Sequence, residues 1–203
     1  MMLFLKSVLM GLAIAAPLGP IGALCIQRTL AQGFRAGVAG GFGTALADAV
    51  YAAAAAAGFA AFAAVLDRIA LPLGLAGGAF LIWLGLQGLR RAPGEAAAAR
   101  AAPRGVWGTL ATTFLLTLAN PATILSFAGI FAGLGLARDA GPGAAALVVG
   151  GVFSGSMLWW VVLSGGVALA QHRLPPAFAL WVARGSGALM LGFGLWAIGT
   201  ALR

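Results

Sequence analysis

Long apolar stretches constrain the fold of this chain more than any other feature. Between Lys6 and Arg28 lie 21 residues without a charge, and a later stretch, Gly105 to Ala137, has 33. A helix needs about 20 predominantly apolar residues to cross a bilayer. The 203 residues are 62% hydrophobic and 8% charged, whereas soluble domains carry about 25% charged residues. The pattern therefore predicts an all-α, polytopic membrane protein.

Six apolar stretches follow one another, two of them containing a single charged residue. They are 7–27, 36–66, 69–89, 105–137, 143–171 and 178–202. We therefore expect one transmembrane domain, 1–203, of about six helices. Residues 1–89 would form a first three-helix repeat and 107–203 a second. The long polar connection at 90–106 would separate them.

The basic residues predict the orientation. Eight lysines and arginines fall on the side of the middle loop and four on the side of the termini. The side richer in lysine and arginine is normally cytoplasmic, so we expect the loop 90–106 in the cytoplasm and both termini outside. The formal charge of +8 is spread over the loops and indicates topology rather than a nucleic-acid partner.

Two helix breaks interrupt the apolar stretches. The first is Ala16-Pro17-Leu18-Gly19-Pro20, and the second is Asn120-Pro121. Proline removes a backbone donor, and lipid tolerates no unpaired backbone polar groups, so each break should be buried in protein or line a wet cavity. The amides after Pro20 and Pro121 could bind an anion, and the carbonyls before them a cation. The alternative is two proline kinks with packing roles only.

The two halves of the chain resemble each other weakly. Gly78-Ala79 and Gly85-Leu86 match Gly187-Ala188 and Gly194-Leu195, and each half has a break in its first stretch. Because three spans are an odd number, the second repeat would be inverted. Inverted repeats with paired broken helices are typical of secondary transporters. Chance similarity in a sequence rich in glycine, alanine and leucine is the alternative.

Asp48 is the one ionisable residue deep within an apolar stretch. A carboxylate at the bilayer centre costs about 2.5–3.5 kcal/mol on insertion scales, and such a cost usually serves a function. Gly37, Gly41, Thr44 and Tyr51 recur at helical spacing with it, so they share its face. Asp48 could pair with a substrate ammonium group or carry a proton. It could instead be a structural carboxylate bonded to Tyr51 or to another helix.

The remaining polar and aromatic residues have simpler interpretations. Threonines and serines within the spans, such as Ser154 and Ser156, are expected to bond to backbone carbonyls. Trp159, Trp160 and Trp181 could anchor the protein at the membrane interface. The sequence contains no phosphate-binding loop, metal-ligand cluster or Ser/His/Asp set. We therefore expect a protein that is not an enzyme and has no cofactor.

Two segments resemble the signatures of the LysE-type amino-acid exporter family. They are Pro17-Leu18-Gly19-Pro20 with Leu30-Ala31-Gln32-Gly33-Phe34-Arg35-Ala36-Gly37, Gly41, Gly43, Asp48 and Tyr51, and Phe114-Leu115-Leu116 with Leu118-Ala119-Asn120-Pro121. The resemblance implies an inner-membrane exporter of amino acids or close derivatives, driven by the proton gradient. The functional positions that it implies are Gly19, Pro20, Asp48, Asn120 and Pro121. Many members have Pro-Gly-Pro, whereas Leu18 intervenes here.

We therefore expect a secondary transporter that exports a small amino acid or related metabolite by alternating access. Asp48 would bind an ammonium group or exchange a proton, and the two breaks would hold the carboxylate. Its partners would be this substrate, the coupling proton and membrane lipid, with a homo-oligomer left open. Two alternatives are an exporter of metal cations and a membrane assembly factor that transports nothing. Transport requires a wet cavity at Asp48, whereas the assembly factor predicts a dry one.

Overall fold

A computed structural model describes residues 1–17, 19–90, 105–120, 123–124, 126–127, 142–171 and 176–202 of the chain. Six helices account for most of these residues, and no strand occurs among them. The helices are α1 Met2–Ala15, α2 Pro20–Gln32, α3 Phe34–Arg90, α4 Val106–Leu118, α5 Pro142–Ala170 and α6 Pro176–Ala201. The predicted all-α class is confirmed.

Three helical segments in the described part are long and apolar enough to cross a membrane. They are Phe34–Ala57, Pro142–Ala170 and Leu180–Ala201, and the bent pair of α1 and α2 makes a fourth if it counts as one span. The protein is therefore a polytopic helical membrane protein. Six crossings remain a prediction, because residues 128–141 lie outside the described part.

The first predicted helix break is present. The axes of α1 and α2 differ in direction by 82°. Gly19 precedes α2 with an extended backbone (φ −99°, ψ −162°), and Pro20 is the first helical residue, a position where its missing N–H costs nothing. The Gly19 N–H turns back to the Pro17 carbonyl at 2.9 Å. Pro17 and Pro20 therefore bracket a sharp corner instead of a gentle kink.

The charged segment 28–35, which separates the first two apolar stretches, does not form a loop. α2 continues to Gln32, and Gly33 alone separates it from α3. Gly33 has φ +86°, a left-handed conformation that glycine adopts without steric cost. Arg28 therefore lies inside the bundle, 8% exposed, and its guanidinium donates a hydrogen bond to the Thr109 carbonyl at 3.0 Å.

The 57 residues of α3 do not form one straight rod. Gly43 packs against Leu110 of α4, and Gly77 packs against Ala119 just beyond its end. Along α4 these contacts are about 14 Å apart, but Gly43 and Gly77 would be about 51 Å apart in a straight helix. α3 therefore folds back between them. Asp67 and Arg68, which separate the second and third apolar stretches, fall in this interval, yet the helical backbone continues through both residues.

Glycines bring the helices together. Gly78 and Gly85 of α3 pack against Gly194 and Gly187 of α6. A Cβ atom added at Gly85 would lie 2.7 Å from the Gly187 carbonyl oxygen, closer than such atoms approach. Helices in lipid associate through close packing of this kind, because lipid tails are as apolar as the helices. Elsewhere, Gly11 of α1 packs against the Val152 backbone of α5 in the same way.

Candidate functional site

A cavity of about 150 Å³ lies at the corner between α1 and α2. Residues from five helices and from the segment after α4 line it. They are Ile14, Ala15, Pro17, Gly19, Pro20, Ile21, Gly22, Thr44, Asp48, Asn120, Thr123, Ser126, Trp160 and Phe193. Liquid water occupies about 30 Å³ per molecule, so the cavity is suited to a small ligand.

The fold brings together four of the five predicted site residues. Gly19, Pro20, Asp48 and Asn120 all line this cavity, although they come from three separate parts of the sequence. Pro121, the fifth, lies outside the described residues. The site thus combines the first helix break, the buried carboxylate and the asparagine of the second break.

Asp48 is placed by the close contact of α3 with α5. Gly41, two turns before Asp48, packs against the Trp160 side chain, and an added Cβ there would lie 2.6 Å from Trp160 Cγ. This proximity lets the Ser156 hydroxyl donate a hydrogen bond to Asp48 Oδ2 at 2.7 Å. Trp160 Nε1 in turn donates to Ser156 Oγ at 3.2 Å. The hydroxyl therefore serves as donor to the carboxylate and as acceptor from the indole.

The carboxylate keeps accepting capacity for a ligand. Asp48 is 1% exposed, and an ionised carboxylate has about four lone-pair positions, of which Ser156 uses one. The Tyr51 hydroxyl, a predicted alternative partner, donates instead to the Leu118 carbonyl at 2.6 Å. Asp48 therefore has a hydrogen bond to another helix, through Ser156 of α5, and its carboxylate still borders the cavity.

The start of α2 faces the same cavity. The first amide bonded within this helix is that of Ala23, which donates to the Gly19 carbonyl at 3.0 Å. Pro20 has no N–H, and no side chain in the described part of the chain caps the helix. The amides of Ile21 and Gly22, both lining residues, therefore lie at the positive end of the helix dipole, where anions bind.

Asn120 joins the end of α4 to the next helical turn. Its N–H donates to the Thr117 carbonyl at 3.2 Å, and its own carbonyl accepts from the amides of Thr123 and Ile124. The residue is 9% exposed. Tyr51 steadies this corner, because its bond to the Leu118 carbonyl ties the end of α4 to α3.

Sequence reasoning missed two residues of the site. Ser156 was expected to bond to the backbone, as Ser154 does to the Gly150 carbonyl at 2.7 Å, and Trp160 was expected at the interface. Trp160 is instead 3% exposed, whereas Trp181 is largely exposed. The available signal was the spacing of four between Ser156 and Trp160, which places both on one helix face.

Comparisons with known proteins identify a family and several relatives of the chain. The family model described as LysE type translocator matches residues 12–199. The chain is 29% identical to the chemotactic transduction protein ChpE of Pseudomonas aeruginosa, over 99% of this chain and 98% of that protein. No solved structure matches.

Matches to two further relatives cover about two thirds of the length of each relative. The chain is 32% identical to the uncharacterized membrane protein YahN of Escherichia coli, over 73% of this chain and 67% of that protein. It is 31% identical to the "Putative amino acid efflux protein YcgF" of Bacillus subtilis, over 69% of this chain and 66% of that protein.

Proposed function

Because the chain belongs to the LysE type translocator family, we propose that it exports amino acids or closely related metabolites across the inner membrane. Transport is coupled to the proton gradient and proceeds by alternating access. The observation that carries the proposal is the cavity at the α1–α2 corner, which combines a buried carboxylate with the positive end of a helix. These two features complement the opposite charges of an amino acid.

Each charged group of the substrate has a suitable partner. The ammonium group pairs with the Asp48 carboxylate, which accepts a hydrogen bond from the Ser156 hydroxyl. The carboxylate group accepts hydrogen bonds from the Ile21 and Gly22 amides at the start of α2, as anions do at helix N-termini. Asn120 has an amide side chain that can serve either group.

Mutual exclusion at Asp48 supplies the coupling. A proton and an ammonium group neutralise the same carboxylate, so the two cannot occupy it together. Binding of the substrate ammonium therefore releases a proton, and binding of a proton releases the substrate. This exchange links export of the substrate to import of a proton.

Reciprocal contacts support two inverted repeats at 1–89 and 107–203. The sequence match pairs Gly78 with Gly187, and Gly85 with Gly194. Under a two-fold relation, a contact between Gly78 and Gly194 requires an equivalent contact between Gly85 and Gly187, and both contacts are present.

The first helices of the two repeats behave alike. α1 packs on α5 of the second repeat, as Gly11 does on Val152, and α4 packs on α3 of the first repeat, as Leu110 does on Gly43. The first helix of each repeat therefore packs against the other repeat. Rocking of one repeat against the other would move the helix breaks relative to Asp48, which gives access from alternate sides.

Two other functions remain as alternatives. A hard metal cation prefers several oxygen ligands, and the described lining of the cavity offers one carboxylate. The name of ChpE refers to chemotaxis rather than transport, which is compatible with a membrane role without transport. Such a role would leave the polar cavity without a ligand.

Transport by the purified protein in proteoliposomes tests the proposal. The vesicles hold one labelled amino acid or a divalent cation, and efflux is measured with and without a pH gradient against protein-free vesicles. We expect efflux of at least one amino acid that the pH gradient accelerates. Efflux of the cations alone, or no efflux at all, would refute the proposed function.

A further inference from the structure

An apolar groove adjoins the polar cavity. It has a volume of about 660 Å³ and lies between α2, α5 and α6. Ala23 and Ile26 line one wall, Val162 and Val167 a second, and Val182 and Leu189 the third. No charged side chain lines it in the part of the chain that the structure describes.

Gly19 lies at the junction of the two spaces, because it lines both the cavity and the groove. A Cβ atom added there would find no atom of the described residues within 4 Å. The backbone of Gly19 is extended, a conformation open to any residue. The missing side chain at this position therefore leaves space where cavity and groove meet.

Because cavity and groove adjoin at Gly19, we propose that the groove receives the apolar side chain of the transported amino acid. The inference rests on the proposed function. With its ammonium group at Asp48 and its carboxylate at the start of α2, the substrate directs its side chain past Gly19 into the groove. A charged side chain would find no counter-charge there, and a small one would leave the groove unfilled. Amino acids with long apolar side chains are therefore the preferred substrates.

The expected preference is large. One methylene in a hydrophobic pocket changes specificity by roughly 10–200-fold. Leucine and phenylalanine, which differ from alanine by several carbon atoms, should therefore be transported at least about tenfold more efficiently than alanine. Lysine and glutamate should be poorer substrates than leucine.

Two glycines of α6 provide a matched pair of variants. Gly185 lines the groove, whereas Gly192, two turns further along the same helix, does not. Both are exposed, and a Cβ atom added at either meets nothing within 4 Å among the residues that the structure describes. Leucine also favours a helix over glycine, so Gly185→Leu and Gly192→Leu should both fold. Only Gly185→Leu fills part of the groove.

The experiment measures counterflow of labelled leucine, phenylalanine, alanine, lysine and glutamate in proteoliposomes holding wild-type protein or either variant. We expect the wild type to prefer leucine and phenylalanine. Gly185→Leu should reduce leucine counterflow by about tenfold or more and leave alanine unchanged, and Gly192→Leu should change neither.

The remaining outcomes overturn the inference. Equal transport of lysine, alanine and leucine by the wild type would show that the groove does not select side chains. Identical profiles of the two variants would mean that the groove holds lipid only. In both cases the protein still transports amino acids, so the proposed function is not refuted. A wild type that moves no amino acid would refute the proposed function and the inference together.

Discussion

Replacing Ser156 with alanine tests the arrangement around Asp48. The hydroxyl donates to Asp48 Oδ2 at 2.7 Å and accepts from Trp160 Nε1 at 3.2 Å. Removing it abolishes both hydrogen bonds and leaves two buried polar groups without this partner. Ser156 is itself fully buried, so water does not readily replace it.

The cost follows from the two lost bonds. The Ser156–Asp48 bond joins α5 to α3, and bonds of this kind between membrane helices contribute about 0.6 kcal/mol on average and at most about 1.7 kcal/mol. The Trp160–Ser156 bond lies within α5, and a typical intramolecular hydrogen bond contributes about 0.5–1.5 kcal/mol. Loss of two should lower the free energy of unfolding by about 1–3 kcal/mol. For a chain of this size each kcal/mol of lost stability lowers Tm by about 2–4 °C. The Tm of Ser156→Ala should therefore be roughly 2–12 °C lower than that of the wild type.

Ser154→Ala is the matched control. Ser154 lies two residues away on α5, is exposed, and bonds to the Gly150 carbonyl within its own helix. Its replacement should change stability by less than about 0.5 kcal/mol. Thermal unfolding and transport are measured on both variants, and Ser156→Ala should also raise KM because the carboxylate loses its positioning donor. If the two variants have the same Tm and KM, the proposed role of Ser156 is wrong.

Three further predictions follow from the fold. Gly19→Leu should block transport with little loss of Tm, since its side chain enters open space where cavity and groove meet; a variant that transports normally would contradict this. Tyr51→Phe removes the bond to the Leu118 carbonyl and should lower stability by about 0.6–1.7 kcal/mol, measured by thermal unfolding; an unchanged Tm would argue against this anchor. Reporter fusions after Arg91 should report cytoplasm and those after Arg203 the outside, and a cytoplasmic C-terminus would mean that one apolar segment does not cross.

Much of the fold could be predicted from the sequence because lipid imposes strong constraints. An uncharged stretch near 20 residues can satisfy its backbone only as a helix, so the helical class followed from composition. Proline and glycine marked the corner at Gly19 for the same reason. Boundaries were harder: the end of α2 depended on the conformation of Gly33, which local sequence did not distinguish from a longer loop.

The site residues that stand out in the sequence could be predicted. A carboxylate such as Asp48 stands out in an apolar stretch because it is costly there. Ser156 and Trp160 do not stand out, since serine usually bonds to its own helix and tryptophan often lies at the interface. Their roles depend on how α3 packs against α5 at Gly41, and a contact across helices leaves no local pattern.

The most direct test of the account is transport by Asp48→Asn. Asparagine is nearly the same size and can still accept the Ser156 hydrogen bond, but it carries no charge and cannot exchange a proton. Efflux driven by a pH gradient and thermal stability are measured in the same preparation, with Asp48→Glu as a variant that keeps the charge. We predict no efflux by Asp48→Asn with a Tm close to the wild type, and partial efflux by Asp48→Glu. Normal efflux by Asp48→Asn would contradict the coupling role, and joint loss of stability and activity would make Asp48 a structural residue.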